Sequence, residues 1–347
     1  MEPARRRGRR HRGAVGRGEG RVVTGARDFL SKAMDAAVIP GFSRIGYAVR
    51  SRTGEWSDPS RADLEGRVVV VTGPTSGLGL EVVRMLATTG AHLVLVARDA
   101  AKCAGVVAEL ESIRPGVTTE VVTADMADLD GVARASREIL ARHGAVHALV
   151  HNAGALLARR ESSPQGFETT VACHVLGPHL MTTLLIPALR AGAGRVVTVS
   201  SGGMYAVPVP DCTGAGTPEM AADRWNGTRQ YAIAKRVQIV MNAEWARRES
   251  GVTFAVMHPG WADTPGVQGS IPAFRAVTSL ILRTPRQGAD TIAWLVVTDE
   301  KVPSGKFWCD RETVPEHRIP GTRRSDSAAR RDSVWSWCEA AIAARRG

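Results

Sequence analysis

Between Arg67 and Cys309, short β-branched runs alternate with stretches of helical length. This alternation limits the fold more than any other feature of the chain. The runs are RVVVVT (67–72), AHLVLVA (91–97), TTEVVTA (118–124), AVHALVH (145–151), GRVVTVS (194–200), VTFAVMH (252–258) and KFWC (306–309). Most are apolar throughout, as strands buried on both faces must be. Helical patterns fill the intervals over 77–89, about 99–113, 128–142, 166–190, about 228–249 and near 286–298. Strand–helix units in series specify a parallel sheet with helices on both faces. The expectation is one α/β domain built on a doubly wound parallel sheet.

The chain has 347 residues, 44% hydrophobic and 23% charged, enough for a large core in a soluble protein. Its net charge of +11 is concentrated at one end: residues 1–33 hold nine Arg and one Lys against three acids, leaving +4 for the rest. Residues 1–33 therefore read as a basic Arg/Gly-rich tail, disordered or lying upstream of a start at Met34. No specific nucleic-acid partner is expected. Residues 34–63 form an N-terminal extension. The stretch 27–53, which overlaps the tail and the extension and is broken at Pro40-Gly41, reads as a short amphipathic helix that packs on the domain. Weak contact with a membrane surface is the alternative. The main domain is placed at 64–320. Residues 321–347 form a C-terminal segment with a helix over Asp332 to Ala344.

Five scattered cysteines (Cys103, Cys173, Cys212, Cys309, Cys338) lack metal-ligand spacing and fit a reducing, cytoplasmic setting with no metal. The uncharged run from Thr169 to Leu189 contains His174, Pro178 and His179, so a buried helix is expected there rather than a membrane span.

The first strand runs into TGPTSGLG (72–79) and then a helix. Gly73 permits a tight turn, Gly77 close approach of backbone to a pyrophosphate, and Gly79 close helix–strand packing. The helix N-terminus offers free N–H groups and a positive dipole end. The second strand ends in Ala97-Arg98-Asp99. An arginine here suits a ribose 2′-phosphate, so Arg98 points to NADP(H). Asp99 as a ribose ligand, with NAD(H), is the alternative.

YAIAK (231–235) places Tyr231 and Lys235 on one helix face. With three tyrosines and five lysines against forty arginines, a chance match is improbable. A free phenol has a pKa of about 10. A nearby ammonium is expected to favour its phenolate.

These motifs resemble those of the short-chain dehydrogenase/reductase family: TGPTSGLG, then His151-Asn152-Ala153-Gly154, VSSGG (199–203), YAIAK and HPGWADT (258–264), in order and on the matching elements, over roughly residues 64–320. The resemblance implies a Rossmann sheet of strand order 3-2-1-4-5-6-7. It implies oxidoreduction of a carbonyl/alcohol pair, with Tyr231 as proton donor or acceptor, Lys235 beside it and at the nicotinamide ribose, and Ser201, rather than Ser200, at the substrate oxygen. It places Gly73, Thr75, Ser76, Gly77, Leu78, Gly79, Asp125, Met126, Asn152, Ala153, Gly154, Pro259, Gly260 and Thr264 around the cofactor. It further implies a homodimer or homotetramer, often assembled through the long helix near 166–190 and the Tyr-bearing helix.

The chain departs from the family pattern in three places. His174 stands where the family carries an asparagine that supports a proton relay, and it is read either as a substitute in that relay or as a core histidine. His151 replaces another asparagine. The thirty-residue gap between Ser201 and Tyr231 implies an inserted loop (202–227) near the substrate mouth, which Ile271, Phe274 and Leu280 also line. The expected substrate is a lipophilic ketone or aldehyde. The rival reading is a dinucleotide-sensing binding protein that turns nothing over.

Overall fold

The computed structural model describes residues 41–263 and 281–346. The basic tail, Met34, Thr264, Ile271, Phe274 and Leu280 lie outside the described residues. One eight-stranded sheet runs in the order β3-β2-β1-β4-β5-β6-β7-β8. Its strands are β1 (Val68–Thr72), β2 (His92–Ala97), β3 (Thr119–Thr123), β4 (Ala148–His151), β5 (Arg195–Val199), β6 (Thr253–Met257), β7 (Lys306–Cys309) and β8 (Glu312–Thr313). The first seven are parallel, in the expected order. The short antiparallel β8 was not anticipated. It follows a two-residue turn that holds Asp310 and Arg311 at φ of 53° and 60°. Such turns usually carry Asn or Gly, and Asp-Arg carries no such hairpin signal.

Helices cover both faces. On one lie α2 (Gly77–Ala87), α3 (Ala100–Ile113) and α7 (Pro285–Val297). On the other lie α4 (Leu129–Arg142), α5 (Thr169–Ala191), α6 (Gly227–Arg248) and the C-terminal α9 (Ala328–Ile342). A short helix, α8, spans Pro320–Ser325. The first strand shows why its sequence is apolar at every position: Val69 and Val71 enter one core, Val70 the other. By length and composition α5 could cross a membrane, but most of it is buried in the core. Helix α9 starts at Ala328, earlier than expected, because Ser327 caps it by accepting the Arg330 N–H at 3.3 Å. Its Val334, Cys338 and Ile342 are fully buried against α5 and α6.

The N-terminal extension is built into the domain. Helix α1 (Arg44–Thr53) starts at a Ser43 cap. The buried Arg50 donates to Asp310 Oδ2 at 2.6 Å. Arg283 grips both oxygens of the same carboxylate at 2.5 and 2.8 Å, and also donates to the carbonyls of Gly41, Ser43 and Pro259. Arg283 and Asp310 are each 1% exposed. The knot joins the extension, the loop after β6 and the β7–β8 turn.

Candidate active site

The sheet order reverses between β1 and β4, which opens a crevice beyond the carboxyl ends of the strands. The Gly-rich turn leaves β1 at this crevice, with Gly73 and Gly77 at φ of 68° and 55°. A Cβ on Gly79 would lie 2.1 Å from the Gly73 carbonyl oxygen, so only glycine lets α2 pack there. Ser76 occupies the N-cap of α2 with no side-chain cap bond, which leaves the first helical N–H groups to face the crevice. Thr75 and Leu78 flank it, half-buried. Asn152 braces the turn: its side-chain amide donates to the Thr72 and Gly73 carbonyls at 3.1 and 3.0 Å. The Thr72 hydroxyl accepts the backbone N–H groups of Asn152 and Ala153.

Arg98 stands at the end of β2, its side chain 77% exposed and 3.7 Å from Asp125. Asp99 is otherwise engaged, since its carboxylate caps α3 by accepting the Lys102 N–H at 3.1 Å. Asp125 accepts the Ala127 N–H at 2.8 Å, and Met126 is buried beside it. Pro259 and Gly260 follow β6; Gly260 has a φ of 71°, and a Cβ there would meet Arg283 Nε at 2.4 Å. These residues fit a dinucleotide: the cradle has no room for Cβ atoms, its helix N-terminus is open, and a cation stands where the adenosine ribose belongs.

Ser201, Tyr231 and Lys235 come together. Ser201 hydrogen-bonds the Tyr231 phenol, and the Lys235 ammonium lies 5.2 Å from the centre of the Tyr231 ring. Lys235 Nζ donates to the Val199 carbonyl at 2.7 Å. Ser200 plays a structural part: its hydroxyl donates to the Lys235 carbonyl at 3.0 Å and ties β5 to α6. The electrostatic balance differs from the sequence expectation. Burial pushes the phenol up to about 12, with the Ser201 hydrogen bond opposing. Burial also pulls Lys235 down to about 7. Desolvation sets both values, so the phenol is protonated at neutral pH.

His174 packs edge-on against Tyr231 with ring centres 5.3 Å apart. Its Nε2 lies 3.2 Å from the Ala155 N–H and 3.0 Å from the Ala155 carbonyl. The ring fills the space over Gly154, where a Cβ would lie 2.1 Å from His174 Cε1. Gly154→Ala is therefore expected to cost about 1–3 kcal/mol and to displace His174 from Tyr231. Thermal melts and kcat measured on the same preparation check this, and an unchanged melting temperature would refute the close packing. His174 lies in a stretch of α5, Ala172–Leu176, wound as a π-turn. Pro178 has no N–H to give to the His174 carbonyl, four residues back. That carbonyl instead accepts the Gln238 side chain at 2.8 Å.

Gln238 was missed in the sequence, and Pro178 was the available signal for a freed carbonyl. Behind His174 is a cavity of about 30 Å³ lined by His151, His179, Thr182, Gln238 and Asn242 among others. His151 Nδ1, His174 Nδ1, His179 Nδ1, Gln238 Oε1 and Asn242 Nδ2 have no protein partner among the described residues. The rest of the wall is mainly apolar, from Val175, Met241, Trp245 and Phe254, but orphaned polar groups of this kind bind water, and the volume suits about two molecules.

The chain belongs to the short-chain dehydrogenase/reductase family. A family model described as short chain dehydrogenase matches residues 67–211. The chain is 34% identical to dehydrogenase/reductase SDR family member 12 of Bos taurus, over 88% of this chain and 95% of the relative. It is 29% identical to retinol dehydrogenase 11 of Homo sapiens, over 78% and 85% of the two chains. A short chain dehydrogenase from Escherichia coli CFT073, solved with NADPH, shares the fold at a TM-score of 0.58 and 19% identity, covering 72% of this chain and 98% of that one.

Proposed function

We propose that the protein is an NADP(H)-dependent oxidoreductase that interconverts a carbonyl and an alcohol on a lipophilic small molecule. The observation that carries this reading is the Ser201–Tyr231–Lys235 set, assembled beside a Gly-rich turn that fits a dinucleotide. A bound dihydronicotinamide supplies the hydride. The protein's own residues do the rest. Ser201 and Tyr231 hold the carbonyl oxygen between two hydroxyl donors, which stabilises the charge that develops there. Tyr231, protonated at neutral pH, gives its proton to that oxygen. His174 orients the phenol ring from its edge, and we assign its hydrated cavity to the supply of the next proton. The assembled set gives the dinucleotide-sensing alternative no specific support.

Arg98 supports NADP(H) over NAD(H), as does the NADPH bound by the Escherichia coli neighbour. Arg98→Ala is expected to weaken NADPH binding by about 10- to 100-fold, the value of one charge-assisted contact, and to leave NADH nearly unchanged. Fluorescence titration with both nucleotides checks this. Equal losses for the two would remove Arg98 from the 2′-phosphate, and no binding of either would end the proposal. An apolar wall supports a lipophilic substrate: Phe42, from the N-terminal extension, packs against Gly202, directly after Ser201, and lies beside Tyr205 and Trp261. The retinol dehydrogenase relative fits the same class. The five cysteines form no disulfide among the described residues, which supports a reducing, cytoplasmic setting.

The face of α5 and α6 that the resemblance assigns to assembly carries α9 of the same chain. Trp335 packs between His179 and Trp245, Glu339 pairs with His179 at 2.8 Å, and Asp332 accepts from Arg247 and Arg248 at 3.0 Å. We propose that any oligomer uses another surface.

A further inference from the structure

At the far end of the sheet from the active site, His92 opens β2, Glu120 lies in β3 and His143 ends α4. We propose that His92, Glu120 and His143 form a binding site for a divalent cation of the zinc class. His143 Nε2 lies 2.9 Å and His92 Nε2 3.7 Å from the same oxygen, Glu120 Oε2. All three ligand atoms lie within 4.8 Å of one another. A tetrahedral zinc with bonds of about 2.0–2.1 Å separates its ligand atoms by about 3.3 Å, so small side-chain rotations close the site. The two imidazoles meet edge to face, with ring centres 4.8 Å apart.

A second observation points to a ligand. His92 Nε2 is buried and has no hydrogen-bond partner among the described residues, although it faces a carboxylate. Arg142 occupies only Oε1 of Glu120 and is itself held by Glu138 at 2.8 Å. Oε2 faces His143 instead, and with Oε1 held from behind a small rotation of that ring opens Oε2 and Nε2 together to one ion. The ligands are half-buried, so an ion reaches them from solvent and water completes the fourth position. A second cluster, Glu316, His317 and Asp326, lacks this opening, because Arg331 takes both oxygens of Asp326. The ligands of the proposed site lie 28 and 23 positions apart in the sequence, so no short motif announces them.

The site clamps β2, β3 and α4, so its readout is stability rather than turnover. Full-length protein, first stripped with EDTA, is melted with ZnCl2, CoCl2 or MgCl2. The expected result is a rise in Tm of about 3 °C or more with zinc and cobalt, none with magnesium, and visible d–d bands that saturate at one cobalt per chain. His92→Ala and His143→Ala should each abolish both signals. Should either variant fail to fold, zinc-soaked wild-type crystals give the second reading, an anomalous peak among the three side chains. No shift in the wild type, a shift that survives the His92→Ala/His143→Ala double variant, or an anomalous peak elsewhere would overturn the proposal. None of these outcomes depends on the oxidoreductase assignment.

Discussion

Tyr231→Phe is expected to lower kcat for carbonyl reduction by about 10²- to 10⁴-fold while NADPH binds as in the wild type. The variant keeps the ring, and with it the edge contact to His174 and the position 5.2 Å from the Lys235 ammonium. It removes only the hydroxyl that Ser201 holds. The effect should therefore fall on proton transfer and on the charge at the substrate oxygen, not on the fold. A ketone and aldehyde panel followed at the NADPH absorbance checks the rate, and a fluorescence titration checks the binding. Turnover that survives in Tyr231→Phe would move the proton donor elsewhere and leave Tyr231 a packing residue.

Asp310→Ala is expected to destabilise the protein by about 3–5 kcal/mol, because it takes from Arg283 and Arg50 the carboxylate they share in the interior. Although burial raises it, the charges of Arg283, then Arg50, hold the Asp310 carboxyl below its usual value of 3.8. The pair thus adds stability that is complete above that value and is lost as pH falls through the lower folded-state value. Urea melts at pH 7 should show the loss in midpoint, and the variant should lack this component of the wild type's acid sensitivity below about pH 4. A midpoint that moves by less than about 1 kcal/mol would mean that the guanidiniums find other counter-charges.

The sheet was legible because its signal is dense and local. Seven short runs with six helical stretches between them specify a parallel sheet, and the family resemblance supplied the strand order that the structure shows. The Gly-rich turn and the Tyr–Lys spacing were legible for the same reason: each is a short pattern whose geometry a single helix or turn enforces. What the sequence hid depends on partners far apart in the chain. Nothing near Asp310 announces Arg50, 260 positions away, or Arg283. The electrostatic balance at Tyr231 and Lys235 was misjudged because spacing reveals neighbours but not burial, and here burial decides. Gln238 was invisible because its role exists only once Pro178 has freed the His174 carbonyl. His174 itself was flagged by its departure from a pattern, and the structure gives that departure a geometry.

Helix α9 does for this chain what a neighbouring subunit does where such a face is shared between molecules. A subunit leaves on dilution; a segment joined by peptide bonds does not, because its effective concentration is set by the linker rather than by the number of molecules in solution. The packing of Trp335 and Glu339 on His179, in the helix that also carries His174, is then the same at nanomolar as at millimolar protein. Specific activity should stay flat across that range.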